Sequence, residues 1–359
     1  MSVDYARARF LIVQMMHHGD VLLTTALVDA LKHAWSDCTV DMLVYQGMHD
    51  VLADNPAIHQ VWTIDRAWKK LGWRQHLAKE VELANQIRAA QYDVVLNVSD
   101  RWRTALLSAY SGAAWRGNFA WCNRDHWLWR KLFNHLAQPA GSDTHVVEHM
   151  LRLLEDLPLP DKNYPAKVHM AVSEQSRHSF QEKLSAQGWR GEPYVLMHPA
   201  SRWFFKCWDD DKTLALLQKL LDSGQNVVLT AAPDEREQAM LRQLQSGVRF
   251  NTSAQLWLLN GVLTLRELAA AIEQAQLFIG VDSVPMHMAA ALDKPQVALF
   301  GASWVSRWRP YSSQAHVIWA GDYGDLPHPD SIDVNTAPRL LSAIPVEEVW
   351  QAVAQKLST

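Results

Sequence analysis

The sequence predicts an α/β protein made of two doubly wound, Rossmann-like domains facing each other across a cleft, and three observations lead there. First, 359 residues exceed what one hydrophobic core organises. Second, strand-length apolar runs alternate with helix-length amphipathic segments in both halves of the chain. Third, a segment with three prolines (Pro158, Pro160, Pro165) and the polar residues Asp161, Lys162 and Asn163 separates those halves. The domains are therefore expected at 1–160 and 161–359.

In the first half, apolar runs at 10–15, 40–44, 61–64 and 94–98 read as strands. Segments 21–34 and 77–90 between them have a 3.6-residue apolar period, which is the βαβ pattern of a parallel sheet. A helix-like stretch at 145–157 leads into the proline-rich segment. In the second half, strands are expected at 194–197, 227–230, 277–281 and 297–300, with helices starting near 209, 234, 265 and 285. A final helix at 346–357 has the period to pack on either domain.

Composition excludes several classes. The formal charge is −4, which argues against a general nucleic-acid binder. The three cysteines, Cys38, Cys122 and Cys207, are scattered without metal-ligand spacing, as expected of a reduced, cytoplasmic compartment. The apolar run near the N-terminus is of strand length, too short for a signal segment, and no run approaches the roughly 18 apolar residues needed to span a bilayer.

Four polar loops follow predicted strands, where open α/β sheets place ligands. After the strand at 277–281, Asp282 and Ser283 stand at the start of a helix whose first-turn N–H groups attract an anion, Ser283 being placed to cap it. After the first strand come His17, His18, Gly19 and Asp20. Gly19 is expected in a tight turn, and Asp20 at or next to the helix N-cap, either as a cap or as a proton acceptor. After 194–197, Ser201, Arg202 and Lys206 offer a hydroxyl and two cations suited to a diphosphate. After 227–230, Asp234 and Glu235 are either first-turn acids or partners for ribose hydroxyls. Neither a G-x-G-x-x-G fingerprint nor a Walker loop is present.

GDVLLTTAL (19–27), DSVPMHMAAAL (282–292) and PQVALFG (295–301) together resemble the signatures of glycosyltransferase family 9, the lipopolysaccharide core heptosyltransferases, and SRWFFKCW (201–208) looks most like the heptosyltransferase III branch. The resemblance covers nearly the whole chain. It implies a GT-B fold, with an acceptor on the N-terminal domain and ADP-heptose on the C-terminal one. It also implies Asp20 as general base, Lys206 on the donor diphosphate, Glu235 near the adenosine ribose, and Asp282, Ser283, Val284 and His287 as a donor-binding block, with Leu263 lining the adenine pocket. Ala26 stands where the family usually has proline.

The implied reaction is an inverting transfer of L-glycero-D-manno-heptose to a heptose of the inner core. One base takes the acceptor proton while cations and helix N–H groups meet the charge growing on the departing diphosphate. No cofactor or metal is expected; the one Asp-x-Asp match, at 209–211, reads as capping of a helix start. The acceptor would be a lipid A-linked oligosaccharide, met peripherally at the cytoplasmic face of the inner membrane, with no nucleic-acid partner. His18, Gly19, Arg66, Lys69, Lys70, Arg101 and Arg124 are the acceptor-binding candidates. Residues 66–131 carry 12 Lys and Arg against 5 Asp and Glu, and tryptophans crowd the same region. The rival readings are a GT-B transferase using a different nucleotide sugar and a noncatalytic sugar-binding protein.

Overall fold

A computed structural model describes residues 3–124, 126–161 and 166–358. Four residues of the expected linker, Lys162, Asn163, Tyr164 and Pro165, lie outside the described residues. Contacts divide the chain into two compact units, Met1–Ala171 and Val172–Thr359. The division falls past residue 160 because the backbone at Lys167 and His169 donates to Asp29 Oδ2 and Thr25 Oγ1 of the first unit, each at 2.9 Å.

The first unit contains, in order, β1 (Arg9–Val13), α1 (His18–Leu23), α2 (Thr25–Ala34), β2 (Thr39–Tyr45), β3 (Gln60–Ile64), α3 (Trp73–Ala89) and β4 (Val94–Asn97). It continues with α4 (Trp102–Tyr110), β5 (Trp115–Phe119), α5 (Trp127–Leu132), β6 (His135–Ala137) and α6 (Val146–Leu151). Its parallel sheet has the order β3-β2-β1-β4-β5-β6.

The second unit contains α7 (Glu174–Ser185), β7 (Val195–His198), α8 (Asp210–Asp222), β8 (Val227–Ala231), α9 (Glu235–Gly247), β9 (Leu256–Asn260) and α10 (Leu265–Gln274). Then come β10 (Leu277–Val281), α11 (Val284–Ala291), β11 (Gln296–Phe300), α12 (Val305–Trp308), β12 (Ala315–Trp319) and α13 (Val346–Leu357). Its sheet runs β12-β11-β10-β7-β8-β9, again all parallel. Both sheets therefore share one winding: the unit's first strand lies between its second and its fourth, and the chain reverses direction there. The expected doubly wound class is what each unit shows.

The strands that read clearly in the sequence are those buried on both faces. β4, β7, β8, β10 and β11 are buried at every residue, which is why they appear as unbroken apolar runs. Strands β5, β6, β9 and β12 were not expected. β6, β9 and β12 stand at or near sheet edges, and in β9 buried and half-buried residues alternate.

Three helices differ from the pattern. The expected 21–34 helix starts earlier, at His18, and breaks at Thr24 even though residue 26 is alanine. There the Thr24 and Thr25 hydroxyls donate to the carbonyls of Asp20 and Leu22, both at 2.7 Å, in competition with the helical ladder. The expected 145–157 helix is α6 followed by a 3₁₀ turn at Arg152–Leu154. Helix α3 buries only Leu83 and Ile87, and its apolar residues Leu77 and Val81 face solvent at 55% and 48% exposure. The last helix, α13, joins the core of the second unit through Val349, Ala352 and Val353.

Candidate functional site

In the second unit the loops after β7 and β10 meet where the strand order reverses. The β7 and β10 strands pair Gly280 with His198, and a side chain on Gly280 would put a Cβ 3.2 Å from the His198 carbonyl, so glycine keeps the two strand ends at their observed separation. After β7, a 3₁₀ turn at Phe204–Lys206, unforeseen in the sequence, carries Lys206 back across the sheet end. Its Nζ donates to Asp282 Oδ2 at 2.5 Å, joining residues 76 positions apart. Both partners are largely withdrawn from solvent, with side-chain exposures of 15% and 7%. Trp203 and Phe205 flank the ammonium, their ring centroids 5.0 and 6.0 Å away.

The rest of the expected donor block lies on the same two loops and in α11. Ser201 and His287 are buried, Ser283 and Val284 are half-buried, and Arg202 is exposed. Ser283 occupies the N-cap position of α11 without capping it: its hydroxyl donates to the Val281 carbonyl at 3.3 Å, so the helix start takes no side-chain cap from this serine. The 209–211 run departs from the expectation too. Asp209 makes no cap bond and accepts from Ser342 Oγ at 2.7 Å, while Asp210 holds Arg339 at 2.7 Å. Among the described residues no group of three His, Cys, Asp or Glu is arranged to hold a metal ion.

The loop after β8 holds two residues that sequence reasoning passed over. Asp234 caps α9 by accepting from the Arg236 and Glu237 N–H groups, and Glu235 is exposed. Glu237 turns inward, is 3% exposed and accepts from the Ala232 N–H at 2.9 Å; burial pushes its carboxyl up. Arg236 lies 3.7 Å over the Phe204 ring, tying this loop to the one that bears Lys206. Position in a helix's first turn was the only sequence signal for either, and any first-turn acid shares it. Leu263 is half-buried after β9, just ahead of the Thr264 cap, and lies outside the core cluster. His198, the last residue of β7, hydrogen-bonds Thr230 Oγ1 at 2.9 Å, and burial lowers its pKa to about 4, so it is neutral beside the lysine loop.

In the first unit the same sheet edge carries the other candidates. Asp20 is half-buried in the first turn of α1, three residues past the cap, where its carboxylate accepts from the His17 N–H at 3.2 Å. Gly19 lies within that helix rather than in a turn, because the helix begins at His18. The nearby left-handed glycine is Gly47, at φ 85°, and its carbonyl accepts from His18 Nε2 at 2.9 Å. Burial lowers the His18 pKa, with the Gly47 carbonyl and Asp50 pulling the other way. Arg66 stacks over Tyr45 at 4.2 Å. Arg101 and Arg124 are brought together on one partner: Arg101 Nε is 3.6 Å and Arg124 Nη2 3.7 Å from the Asp100 carboxylate. Lys69 and Lys70 are exposed in the turn after β3.

Comparison with known proteins agrees with this layout. The profile of glycosyltransferase family 9 (heptosyltransferase) matches residues 81–336. The chain is 35% identical to lipopolysaccharide heptosyltransferase 3 of Escherichia coli K12 over 96% of both chains. It is 23% identical to lipopolysaccharide heptosyltransferase 2 of the same strain, over 91% of this chain and 94% of that one. Among solved structures, a family 9 glycosyltransferase from Veillonella parvula superposes with a TM-score of 0.80 at 23% identity, covering 100% of this chain and 99% of its own. E. coli heptosyltransferase WaaC with ADP gives 0.74 at 21%, covering 97% and 99%. The fold is that of the GT-B glycosyltransferases. Two parallel six-stranded units, signature segments in both, and a match spanning most of the sequence lead to one assignment: the chain belongs to glycosyltransferase family 9, the heptosyltransferases.

Proposed function

We propose that this enzyme transfers heptose from ADP-heptose to a heptose of the lipopolysaccharide inner core, in the manner of heptosyltransferase III, with inversion at the anomeric carbon. The lipopolysaccharide acceptor is supported by the 35% identity to a protein named lipopolysaccharide heptosyltransferase 3. The donor reading is supported by Lys206, an ammonium held where an open α/β sheet binds nucleotides, and by a solved relative at TM-score 0.71 that is described with ADP-2-deoxy-2-fluoro heptose.

In the proposed reaction Asp20 accepts the proton of the acceptor hydroxyl as that oxygen attacks the anomeric carbon. Lys206 meets the charge that builds on the departing diphosphate, and its ion-pair partner Asp282 holds the ammonium in place. Exposed Arg202 and the backbone at the start of α11 add to that anion site. Arg101, Arg124, Arg66, Lys69 and Lys70 gather cations on the sheet edge beside Asp20, suited to a phosphorylated acceptor. No metal is invoked, and the acceptor is taken to be lipid-linked, met at the cytoplasmic surface of the inner membrane. Among the described residues no helix is long and apolar enough to cross a membrane.

The test is ADP release from ADP-heptose, with EDTA present and a truncated core acceptor, comparing wild type with Asp20→Asn. Acceptor-dependent release is expected, with a loss of roughly 10³-fold or more in the folded variant. Absence of release with every core acceptor tried would sink the substrate assignment, and full activity of Asp20→Asn would sink the base.

A further inference from the structure

In the first unit, three helices each begin with a tryptophan. Trp73 opens α3, Trp102 opens α4 and Trp127 opens α5, with exposures of 72%, 37% and 61%. In a parallel α/β unit each helix starts at the carboxyl edge of the sheet, so these indoles stand on the edge that bears Asp20 and the candidate acceptor cations. Two of them head apolar stripes at four-residue spacing: Trp73, Leu77 and Val81 on α3, and Trp102, Leu106 and Tyr110 on α4. Helix α3 packs on α4 and α4 on α5, so the stripes lie on adjoining helices.

Such spacing normally marks a buried face, yet here it looks outward. The first nine residues of α3 bury no side chain, and the helix rests on its unit through Leu83 and Ile87 at its far end. An apolar surface of this extent on a globular unit marks a binding face.

Cations identify what it binds. Arg74 lies over Trp73 at 5.2 Å, Arg88 over Tyr110 at 5.0 Å and Lys131 over Trp127 at 4.8 Å. Residues 69–88, 102–110 and 126–132 hold eight lysines and arginines against two glutamates. Both glutamates are paired within the patch, Glu80 to Arg103 at 2.6 Å and Glu82 to Lys79 at 2.8 Å. Aromatic side chains interleaved with cations suit the headgroup layer of an anionic bilayer, where indole sits between water and acyl chain while Lys and Arg meet the phosphates. A second copy of the chain is disfavoured, since a two-fold contact would set these cations against themselves.

We infer that the outer face of α3, α4 and α5 is the surface by which the enzyme docks on an anionic lipid bilayer, bringing the first unit's sheet edge down to a lipid-linked acceptor. The inference deepens the proposed function by naming the surface, and the acceptor part of it rests on that reading.

The experiment uses the full-length protein, floated with vesicles of phosphatidylcholine alone or with phosphatidylglycerol added, for wild type, Trp73→Ser/Trp127→Ser and Leu77→Gln. Circular dichroism and melting temperature report folding, and Leu77→Gln provides a second route should the double variant misfold. Wild type should partition to anionic vesicles and not to neutral ones, with tryptophan emission shifted to the blue. The variants should partition on the order of tenfold less well, while ADP release with a water-soluble acceptor is unchanged and KM rises only for lipid-linked acceptor in vesicles. Equal partitioning of folded variants and wild type, no binding of wild type to anionic vesicles, or a wild-type dimer that the tryptophan variant splits would each overturn the inference. Vesicle binding without ADP release would instead leave the docking face standing and remove the transferase reading.

Discussion

Lys206 and Asp282 form an ion pair that is nearly closed to water. A charge pair removed from water is costly to break from one side, because the remaining partner keeps its desolvation penalty without compensation. Lys206→Ala should therefore lower stability by about 3 kcal/mol, read from urea midpoints, and lower turnover about 10²- to 10³-fold. Lys206→Arg should recover stability better than activity, since a planar fork cannot reproduce the point charge proposed to meet a donor diphosphate. His198 makes a prediction of a different kind. Burial holds its folded pKa at about 4, below the ordinary value of 6.5, so between those values the unfolded chain binds the extra proton. Its contribution is complete above about pH 6.5 and is lost as pH falls toward 4. His198→Gln should flatten the drop in urea midpoint between pH 7 and pH 5. Sequence reading reached Lys206 and Asp282 separately, each from its own loop. It could not reach the pairing of these residues, 76 positions apart, which depends on β7 and β10 lying side by side. Glu237 escaped for a different reason: its contact with the Ala232 N–H is local, but a first-turn acid carries no sign that it turns inward.

At the level of elements, local chemistry decides most boundaries. Helix α10 starts with a capping box: Thr264 Oγ1 accepts from the Glu267 N–H at 3.2 Å, and Glu267 accepts from the Thr264 N–H at 2.7 Å. Glu267 also takes a hydrogen bond from Ser179 at 2.5 Å and an ion pair from Lys183 at 2.6 Å, so one cap fixes α10 against α7. Thr264→Ala should cost about 1 kcal/mol in the urea or thermal midpoint, and proportionately more should Glu267 reorient with it. The central strands were legible because burial on two faces writes an unbroken apolar run. Of the edge strands only β3 was, because one side of an edge strand lacks a neighbour and its residues are free to be polar. Helix α3 shows the opposite error. Its apolar period is real, but Leu77 and Val81 belong to the exposed stripe, and periodicity alone does not tell which face a helix buries.

For the whole molecule, the reading that succeeded was one of repetition: strands and helices alternating twice, with family signatures falling in both halves. The structure adds that both units wind in the same order and that each places its polar loops at the point where that order reverses. The charge total of −4 conceals the distribution that matters, a first unit whose sheet edge and outer helices gather cations and indoles. Composition showed the excess of cations in that region, but only the packing of α3, α4 and α5 places it on one surface.

The all-parallel register has a further consequence, for how the chain reaches this state. Among the described residues no strand is joined to its partner by a hairpin: Phe10 pairs with Val94, and Val94 in turn with Trp115. Every rung of both ladders therefore waits on closure of a long loop, and the innermost strands, which are the most apolar, remain without partners until their helices have packed. Such a topology is expected to fold slowly and to expose adhesive segments on the way, a cost set by how quickly each unit closes rather than by how stable it is once closed.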